Sequence, residues 1–332
     1  MKVEYIDQNK MFLKVENDAG FAVIFCKQGA ALYRIDFKGK PMNITFEDKD
    51  FYLAEDFTYF GRVVGPMCGR IAKGRYTLNG KVQQLETNEG ENSLHSGSAS
   101  FAFTNFDVEV VEADPIRIIF TKKTKPFQGY PASCDVKITY SIPLNKPTLQ
   151  CDFDIVADED VPIKPTAHTY FNLGEDCILN HTLQMNASRI IEMDKDQLPV
   201  GEIEMTPVLS FKKEKPIRLD LFDTSIYDSR FRGYDHCAVY DEINPNIPQA
   251  TLSSTHYTMK IFTDMRGMVY YTYNYTFKNS GAKLGKLIEG IKNNRHAGIA
   301  LEPQDAFAHI EDNIVKAGTP YRRFYRLEFA EK

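Results

Sequence analysis

TLQCDFDIVAD, residues 148–158, alternates apolar and polar side chains without a break. Leu149, Cys151, Phe153 and Ile155 fall on one side of an extended chain, and the polar residues between them fall on the other. A period of two is typical of a β-strand that buries one face and exposes the other. The stretch therefore predicts a long strand at the surface of a core.

The same alternation recurs from one end of the chain to the other. Further strands are predicted at residues 116–123, 135–142 and 268–277. Helical spacing is scarce, and its best example, residues 284–291, contains two glycines that each weaken a helix by about 1 kcal/mol relative to alanine. We therefore predict an all-β fold, a large antiparallel β-sandwich, formed as a single domain over residues 1–332.

Composition narrows the possible partners and compartment. The 23 Phe and 18 Tyr residues favour strands, and the net charge of −5 argues against a nucleic-acid partner. No apolar run approaches the ~20 residues of a membrane helix, and the N-terminal residues lack the apolar core of a signal peptide. Six scattered cysteines without C-x-x-C spacing indicate reduced thiols in the cytoplasm. We expect a monomer or a homodimer.

TAHTYFNL, residues 166–173, combines hydrogen-bonding and apolar side chains in alternation. On a strand, His168, Tyr170 and Asn172 point to one face and the apolar residues to the other. Such a row is either a solvated outer face or the wall of a concave site. Solvated faces usually carry Lys, Glu and Asp, whereas uncharged hydrogen-bonding groups suit a polar, uncharged ligand.

Two loop segments carry further candidate groups. In NEGENSLHSGS, residues 88–98, glycines bracket His95, which is either a binding residue or a histidine that caps a turn. In RGYDHCAVY, residues 232–240, Asp235 stands at a turn that leads into a strand. Its carboxylate would accept hydrogen bonds from ligand hydroxyls, although an aspartate there often bonds only its own backbone.

GIALEPQDA, residues 298–306, places a carboxylate beside a core. Glu302 directly follows an apolar run, and Pro303 predicts that the strand ends there or lies at an edge. Apolar surroundings raise the pKa of a carboxylate, although most glutamates are simply exposed. His95, His168 and Glu302 would also suit a metal as two histidines and a carboxylate. Because no H-x-H or H-x-x-x-H spacing supports such a site, we predict no metal and no cofactor.

Five segments, in order along the chain, resemble the aldose 1-epimerase (galactose mutarotase) family. GRIAKGRYTLNGKVQQL, residues 69–85, is similar to the family's N-R-I-A-x-G-x-F stretch and the short hairpin after it. NEGENSLHSG resembles N-x-G-x-N-x-L-H-G-G, TAHTYFNL resembles T-N-H-S-Y-F-N-L, GYDH resembles G-x-D-H, and LEPQ matches as it stands. The chain is thus identified as a divergent member.

The resemblance implies a fold, a reaction and a set of site residues. It implies the family's large β-sandwich with an open sugar cleft, and interconversion of the α and β anomers of a free aldohexose such as galactose or glucose. Glu302 would be the general base and His168 the general acid. The residues expected to hold or position this monosaccharide are His95, Arg70, Asp235, Asn172 and, as an aromatic wall, Tyr275.

The chain departs from the family pattern around these residues. Pro66 and Gly69 stand where the family has an arginine and an asparagine, Ala167 replaces an asparagine, and Ser96 replaces a glycine. The aromatic segment G-F-D-K-x-x-W is replaced by SASFAFTNF. These changes bear on the substrate more than on the reaction type. A sugar-binding or regulatory protein without turnover stays open, as does an epimerase of phosphorylated hexoses, against which the lost arginine counts.

Overall fold

The computed structural model describes residues 2–54, 59–226, 232–275 and 285–332. In chain order its first strands are β1 Lys2–Tyr5, β2 Phe12–Glu16, β3 Phe21–Cys26, β4 Ala31–Phe37, β5 Lys40–Pro41, β6 Val63–Val64, β7 Arg70–Ile71, β8 Arg75–Leu78, β9 Lys81–Gln84, β10 Ser93–Leu94, β11 Asp107–Val111, β12 Ile116–Lys123, β13 Cys134–Ile142 and β14 Thr148–Ala157. The later strands are β15 Val161–Pro162, β16 Thr166–Ala167, β17 Tyr170–Phe171, β18 Thr182–Met185, β19 Ala187–Met193, β20 Pro199–Glu204, β21 Lys215–Pro216, β22 Asp235–Tyr240, β23 Ala250–Ser253, β24 Tyr257–Thr263, β25 Gly267–Tyr271, β26 Ile299–Gln304, β27 Ile314–Val315 and β28 Tyr321–Glu331. Two short helices are α1 Lys49–Ala54 and α2 Arg218–Leu221.

Three large antiparallel sheets share one core. Their strand orders are β1-β2-β3-β4-β5, β11-β12-β13-β14-β28-β24-β23-β18-β21 and β17-β26-β25-β22-β19-β20. One apolar cluster takes side chains from all three sheets. Within it, the rings of Phe25 and Tyr140 lie 4.9 Å apart, and those of Phe21 and Phe329 lie 5.5 Å apart. Because the buried faces pack against one another, the predicted antiparallel β-sandwich is confirmed.

The local strand predictions hold to different extents. Thr148–Ala157 alternates buried and half-buried residues along its whole length, as its sequence pattern predicts. Ile116–Lys123 also has the predicted bounds. The strand predicted over 268–277 ends earlier, at Tyr271, and residues 276–277 lie outside the described residues. The chain after Tyr271 leaves the sheet although its tyrosine-rich alternation continues.

The helical spacing over 284–291, which two glycines weaken, does not form an α-helix in the residues that are described. Only a one-turn 3-10 helix, Ile288–Gly290, is present there, and Leu284 lies outside the described residues. Glu289 and Gly290 have φ of 56° and 71°, which a regular helix cannot contain. Leu287 instead forms a β-bridge with Phe46 and packs in the core, so tertiary contacts override the helical spacing. Among the described residues no helix is long and apolar enough to cross a membrane.

Candidate active site

Strand pairing in the six-stranded sheet brings candidate groups into a row. Tyr170 pairs with Ala300, Ala300 pairs with Tyr271, and Tyr271 pairs with Asp235. Directly paired residues of an antiparallel sheet point to the same face. These four side chains therefore share one face of the sheet. Ile299, which belongs to the apolar cluster shared by the three sheets, points to the opposite face.

A second row lies two residues further along the same face. Glu302 pairs with Val269, and Val269 pairs with Cys237. His168 lies two residues before Tyr170, where the pairing of β17 with β26 begins, and its ring approaches Glu302. The small side chains Ala300 and Val269 lie in the middle of the two rows, so a hollow forms between the larger groups at their ends.

A cavity of ≈ 210 Å³ lies over these rows. Its lining contains six of the seven residues predicted for the site: Glu302, His168, His95, Arg70, Asp235 and Tyr275. Sequence reasoning missed other lining residues, among them Tyr59, Cys68, Met193, Gln197, Tyr271 and Gln304. The cavity thus joins residues from distant parts of the chain into one polar cleft with aromatic walls.

His168 and Glu302 face each other inside this cleft. His168 Nε2 lies 3.4 Å from Glu302 Oε1, and the two residues are only 6% and 3% exposed. Burial lowers the pKa of His168 to about 4. Burial, with a smaller contribution from the charge of Asp235, raises the pKa of Glu302 well above its usual value. Both shifts favour the pair in which Glu302 is protonated and His168 is neutral.

His95 is held as a neutral hydrogen-bond donor. The backbone N–H of Gly69 donates to His95 Nδ1 at 3.2 Å, so the proton of the neutral ring belongs on Nε2. Burial and the neighbouring His168, Arg70 and Lys164 hold the pKa of His95 well below its usual value. His95 can therefore donate a hydrogen bond to a ligand oxygen without carrying a charge.

Arg70 is oriented by a carboxylate that the sequence did not single out. Its Nε and Nη2 donate to the two carboxylate oxygens of Glu89 at 2.6 and 2.8 Å. This bidentate ion pair fixes the plane of the guanidinium group. Burial raises the pKa of Asp235, while the charge of Arg70 partly offsets that rise. Glu89 belongs to the NEGENSLHSGS loop, so its position in a candidate motif is the signal that could have identified it.

A match to a known protein family identifies the family of the chain. The aldose 1-epimerase family model matches residues 11–328, nearly the whole chain. The chain belongs to the aldose 1-epimerase family. As a member of this family it is an isomerase.

Similar proteins include three of known name. Galactose mutarotase of Mus musculus is 29% identical over 83% of this chain and 79% of its own length. Maltose epimerase of Levilactobacillus brevis is 28% identical over 71% and 69%, and aldose 1-epimerase of Haemophilus influenzae is 26% identical over 96% and 95%. These identities support the reading of the chain as a divergent member.

Solved structures share the fold of this aldose 1-epimerase family member. Galactose 1-epimerase from Lactobacillus acidophilus superposes with a TM-score of 0.86 at 25% identity, covering 100% of this chain and 99% of that one. An aldose epimerase homologue from C. elegans superposes with a TM-score of 0.83 at 20% identity, covering 96% and 98%. The β-sandwich is therefore of the galactose mutarotase-like type.

Asn172 does not line the cleft, contrary to expectation. The predicted strand over 166–173 is two short strands, β16 and β17, and the second ends at Phe171. The Asn172 amide is buried, donates to Glu175 O at 2.7 Å and accepts from Gly174 N–H. Because the chain turns at Leu173, where φ is 45°, Asn172 supports that turn instead of facing the ligand space.

Ser96, one of the departures from the family pattern, braces the wall of the cleft. Its φ is 68°, in the left-handed region that favours glycine. Its hydroxyl accepts from Met67 N–H at 3.0 Å and lies 2.8 Å from the hydroxyl of Tyr130. These bonds tie the His95 loop to the segment that carries Gly69 and thereby compensate for the unfavourable backbone conformation.

The strand that carries Glu302 continues through Pro303, where the sequence predicted an end or an edge. Its pairing with β17 stops at Ala300. Pro303 is therefore not paired with β17, and its missing N–H breaks no hydrogen bond between these two strands. Thr166 Oγ1 donates to Pro303 O at 2.9 Å and ties the histidine-bearing segment to this strand. Next along, Gln304 Oε1 accepts from Cys68 Sγ at 2.9 Å.

A larger cavity, ≈ 340 Å³, lies elsewhere on the molecule. It is lined by the lysine-rich segment 122–125 and by Phe127, Tyr130 and Cys134, among others. Its described lining contains neither an imidazole nor a carboxylate. This cavity therefore lacks the groups of a histidine–carboxylate pair.

Proposed function

We propose that this isomerase interconverts the α and β anomers of a free aldohexose such as galactose or glucose. The observation that carries the proposal is the approach of His168 Nε2 to Glu302 Oε1, 3.4 Å apart in a buried cleft. Anomer interconversion needs one proton acceptor and one proton donor near the anomeric carbon. A positioned acid or base typically contributes about 10²–10⁴-fold in rate.

The reaction opens and recloses the sugar ring. Glu302, as carboxylate, takes the proton of the C1 hydroxyl, and protonated His168 gives a proton to the ring oxygen O5. The C1–O5 bond breaks with its electron pair on O5, and C1 becomes an aldehyde carbon. Rotation about the C1–C2 bond presents the other face of the aldehyde, and closure returns both protons in the opposite direction.

The pair carries one proton throughout this cycle. The reactive form has that proton on His168, and ring opening ends with it on Glu302. Burial favours this second, uncharged form through a lowered pKa of His168 and a raised pKa of Glu302. A proton shift between the two residues therefore prepares the reactive form without any exchange with water.

The remaining cleft residues would hold the sugar. We assign the neutral Nε2–H of His95 to a ligand oxygen, and the Arg70 and Asp235 side chains to hydroxyl groups. Tyr275, 42% exposed, would form the aromatic wall at the open side. Because Glu89 already balances the charge of Arg70, this cleft suits an uncharged sugar better than a phosphorylated one.

Polarimetry on freshly dissolved pure anomers tests the proposal. The panel is α-galactose, α-glucose, α-xylose, α-arabinose and, because one relative is a maltose epimerase, maltose. We expect the protein to accelerate the approach to rotational equilibrium for at least one of the aldohexoses. Binding of a sugar without any acceleration would instead indicate a non-catalytic sugar-binding protein on this fold.

We further propose that residues 1–332 act as one domain, in the cytoplasm, as a monomer or homodimer. The single apolar cluster that draws on all three large sheets supports one domain. Six free cysteines, five of them buried, support a reducing compartment. Sedimentation of the purified protein measures the oligomeric state.

A further inference from the structure

Tyr59 lies on the histidine side of the cleft and contacts both imidazoles. Its ring centroid is 4.8 Å from that of His95, at 57°, and 5.9 Å from that of His168, stacked at 25°. The two imidazoles lie 5.7 Å apart at 80°. The three rings therefore form a closed triangle, in which one aromatic side chain touches both histidines.

The position of Tyr59 is set by the chain around it. Arg62 N–H donates to Tyr59 O at 3.0 Å, just before strand β6. The Tyr59 ring lies 5.6 Å from that of Phe103 and packs against a small apolar cluster that includes Val64 and Ala102. The ring is thus backed by protein on one side and placed against the imidazoles on the other.

Tyr59 lines the cleft together with the two imidazoles and covers part of each ring. It is half-buried, while His168, on which it stacks, is almost fully buried. Water that reached the imidazoles would stabilise their charged forms and so raise the pH below which His168 and Glu302 both hold a proton. We propose that Tyr59 is a positioning residue of the reaction, whose ring excludes water from His95 and His168. This proposal rests on the function proposed above.

The effect of Tyr59 on the titration of His168 can be separated from the effects of the other groups that face His168. Glu302 lies 3.4 Å away, and the rings of His95 and Tyr170 lie 5.7 and 4.9 Å away. Arg70 and Lys164 act on the neighbouring His95. None of these groups is removed when residue 59 is changed, so we expect a change in the titration of His168 to report its hydration.

The test compares Tyr59→Phe, which keeps the ring, with Tyr59→Ala, which removes it. Histidine-labelled protein is titrated by NMR without sugar, and the pH dependence of kcat/KM is measured by polarimetry. In Tyr59→Ala we expect the pKa of His168 to rise from about 4 by at least ~1 unit towards the ordinary ~6.5. The acidic limb of the rate profile should move by the same amount. Tyr59→Phe should keep the wild-type pKa of His168 and the wild-type position of this limb.

Tyr5→Ala, which removes a half-buried ring far along the chain from the cleft, is the matched control and should leave both readouts unchanged. If Tyr59→Ala does not fold, Tyr59→Leu serves as the variant without a ring. Unchanged His168 titration in a folded ring-less variant overturns the proposal, even if its rate is lower at every pH. If the wild type fails to accelerate mutarotation, the proposed function is wrong, but the NMR titration still decides the role of Tyr59.

Discussion

Glu302→Gln separates the contribution of Glu302 to catalysis from its effect on the stability of the fold. Glutamine has nearly the shape of glutamate but cannot accept the C1 hydroxyl proton. Loss of a general base should lower the mutarotation rate by about 10²–10⁴-fold. At about 1.4 kcal/mol per tenfold, this raises the barrier by about 3–5 kcal/mol. Because the carboxylate is only 3% exposed, no water-borne base easily replaces it.

The same substitution should stabilise the fold near neutral pH. The pKa of Glu302 is raised in the folded protein by burial and by Asp235, so between its unfolded and folded pKa values the native state binds more protons. Wild-type stability therefore falls as pH rises through this range, whereas a glutamine contributes no such loss. The advantage of Glu302→Gln should appear above the unfolded pKa of about 4.3 and vanish below it.

Polarimetry and urea unfolding at several pH values measure the two effects on the same preparation. Glu109→Gln, the same chemical change on an exposed position of β11, should alter neither the rate nor the midpoint of unfolding. Wild-type activity in Glu302→Gln would refute the assignment of the base. A variant less stable than the wild type at pH 7 would refute the reasoning about its buried proton.

Four further outcomes are expected. His168→Asn should lower the rate by about 10²–10⁴-fold in the same optical assay, and an unchanged rate would remove it from the mechanism. The wild-type rate should fall below about pH 4, where His168 protonates while Glu302 also holds a proton; a flat profile there contradicts the single-proton pair. Glu89→Gln, which frees Arg70, should raise KM several-fold in initial-rate kinetics more than it lowers kcat, and the reverse pattern would contradict a binding role. Gly267→Ala would place a Cβ 2.1 Å from Ala238 O and should destabilise the fold by about 1–3 kcal/mol or more in urea; an unchanged midpoint would mean that the sheet can adapt.

Local patterns in the sequence predict the local structure well. The alternation over residues 148–158 suffices for the strand Thr148–Ala157, because one buried face requires a period of two. Asn79 and Gly80 have φ of 51° and 76° in the turn between β8 and β9, as such a pair favours. The helical spacing near Ile288 misleads, since those apolar side chains pack on a neighbouring segment instead of forming one helix face.

The site is predicted only where motifs mark it. The resemblance includes His168 and Glu302, but their approach depends on how β26 pairs within the sheet, which no local pattern specifies. Tyr59 and Cys68 line the cleft without any local signal of function, whereas Gln304 belongs to the LEPQ segment. Asn172 has the right periodicity and the wrong location, because the strand ends one residue before it.

The main-chain hydrogen bonds that hold the two facing residues have an evolutionary consequence. The His168 N–H donates to Arg62 O at 2.9 Å and its carbonyl accepts from Gly61 N–H at 2.8 Å, while Glu302 is held by the pairing of β26 with β25. Residues on the surrounding loops can then be exchanged, one lineage after another, to admit a different sugar while the catalytic pair keeps its spacing. Selection can thus change which sugars such a protein accepts while the type of reaction stays the same.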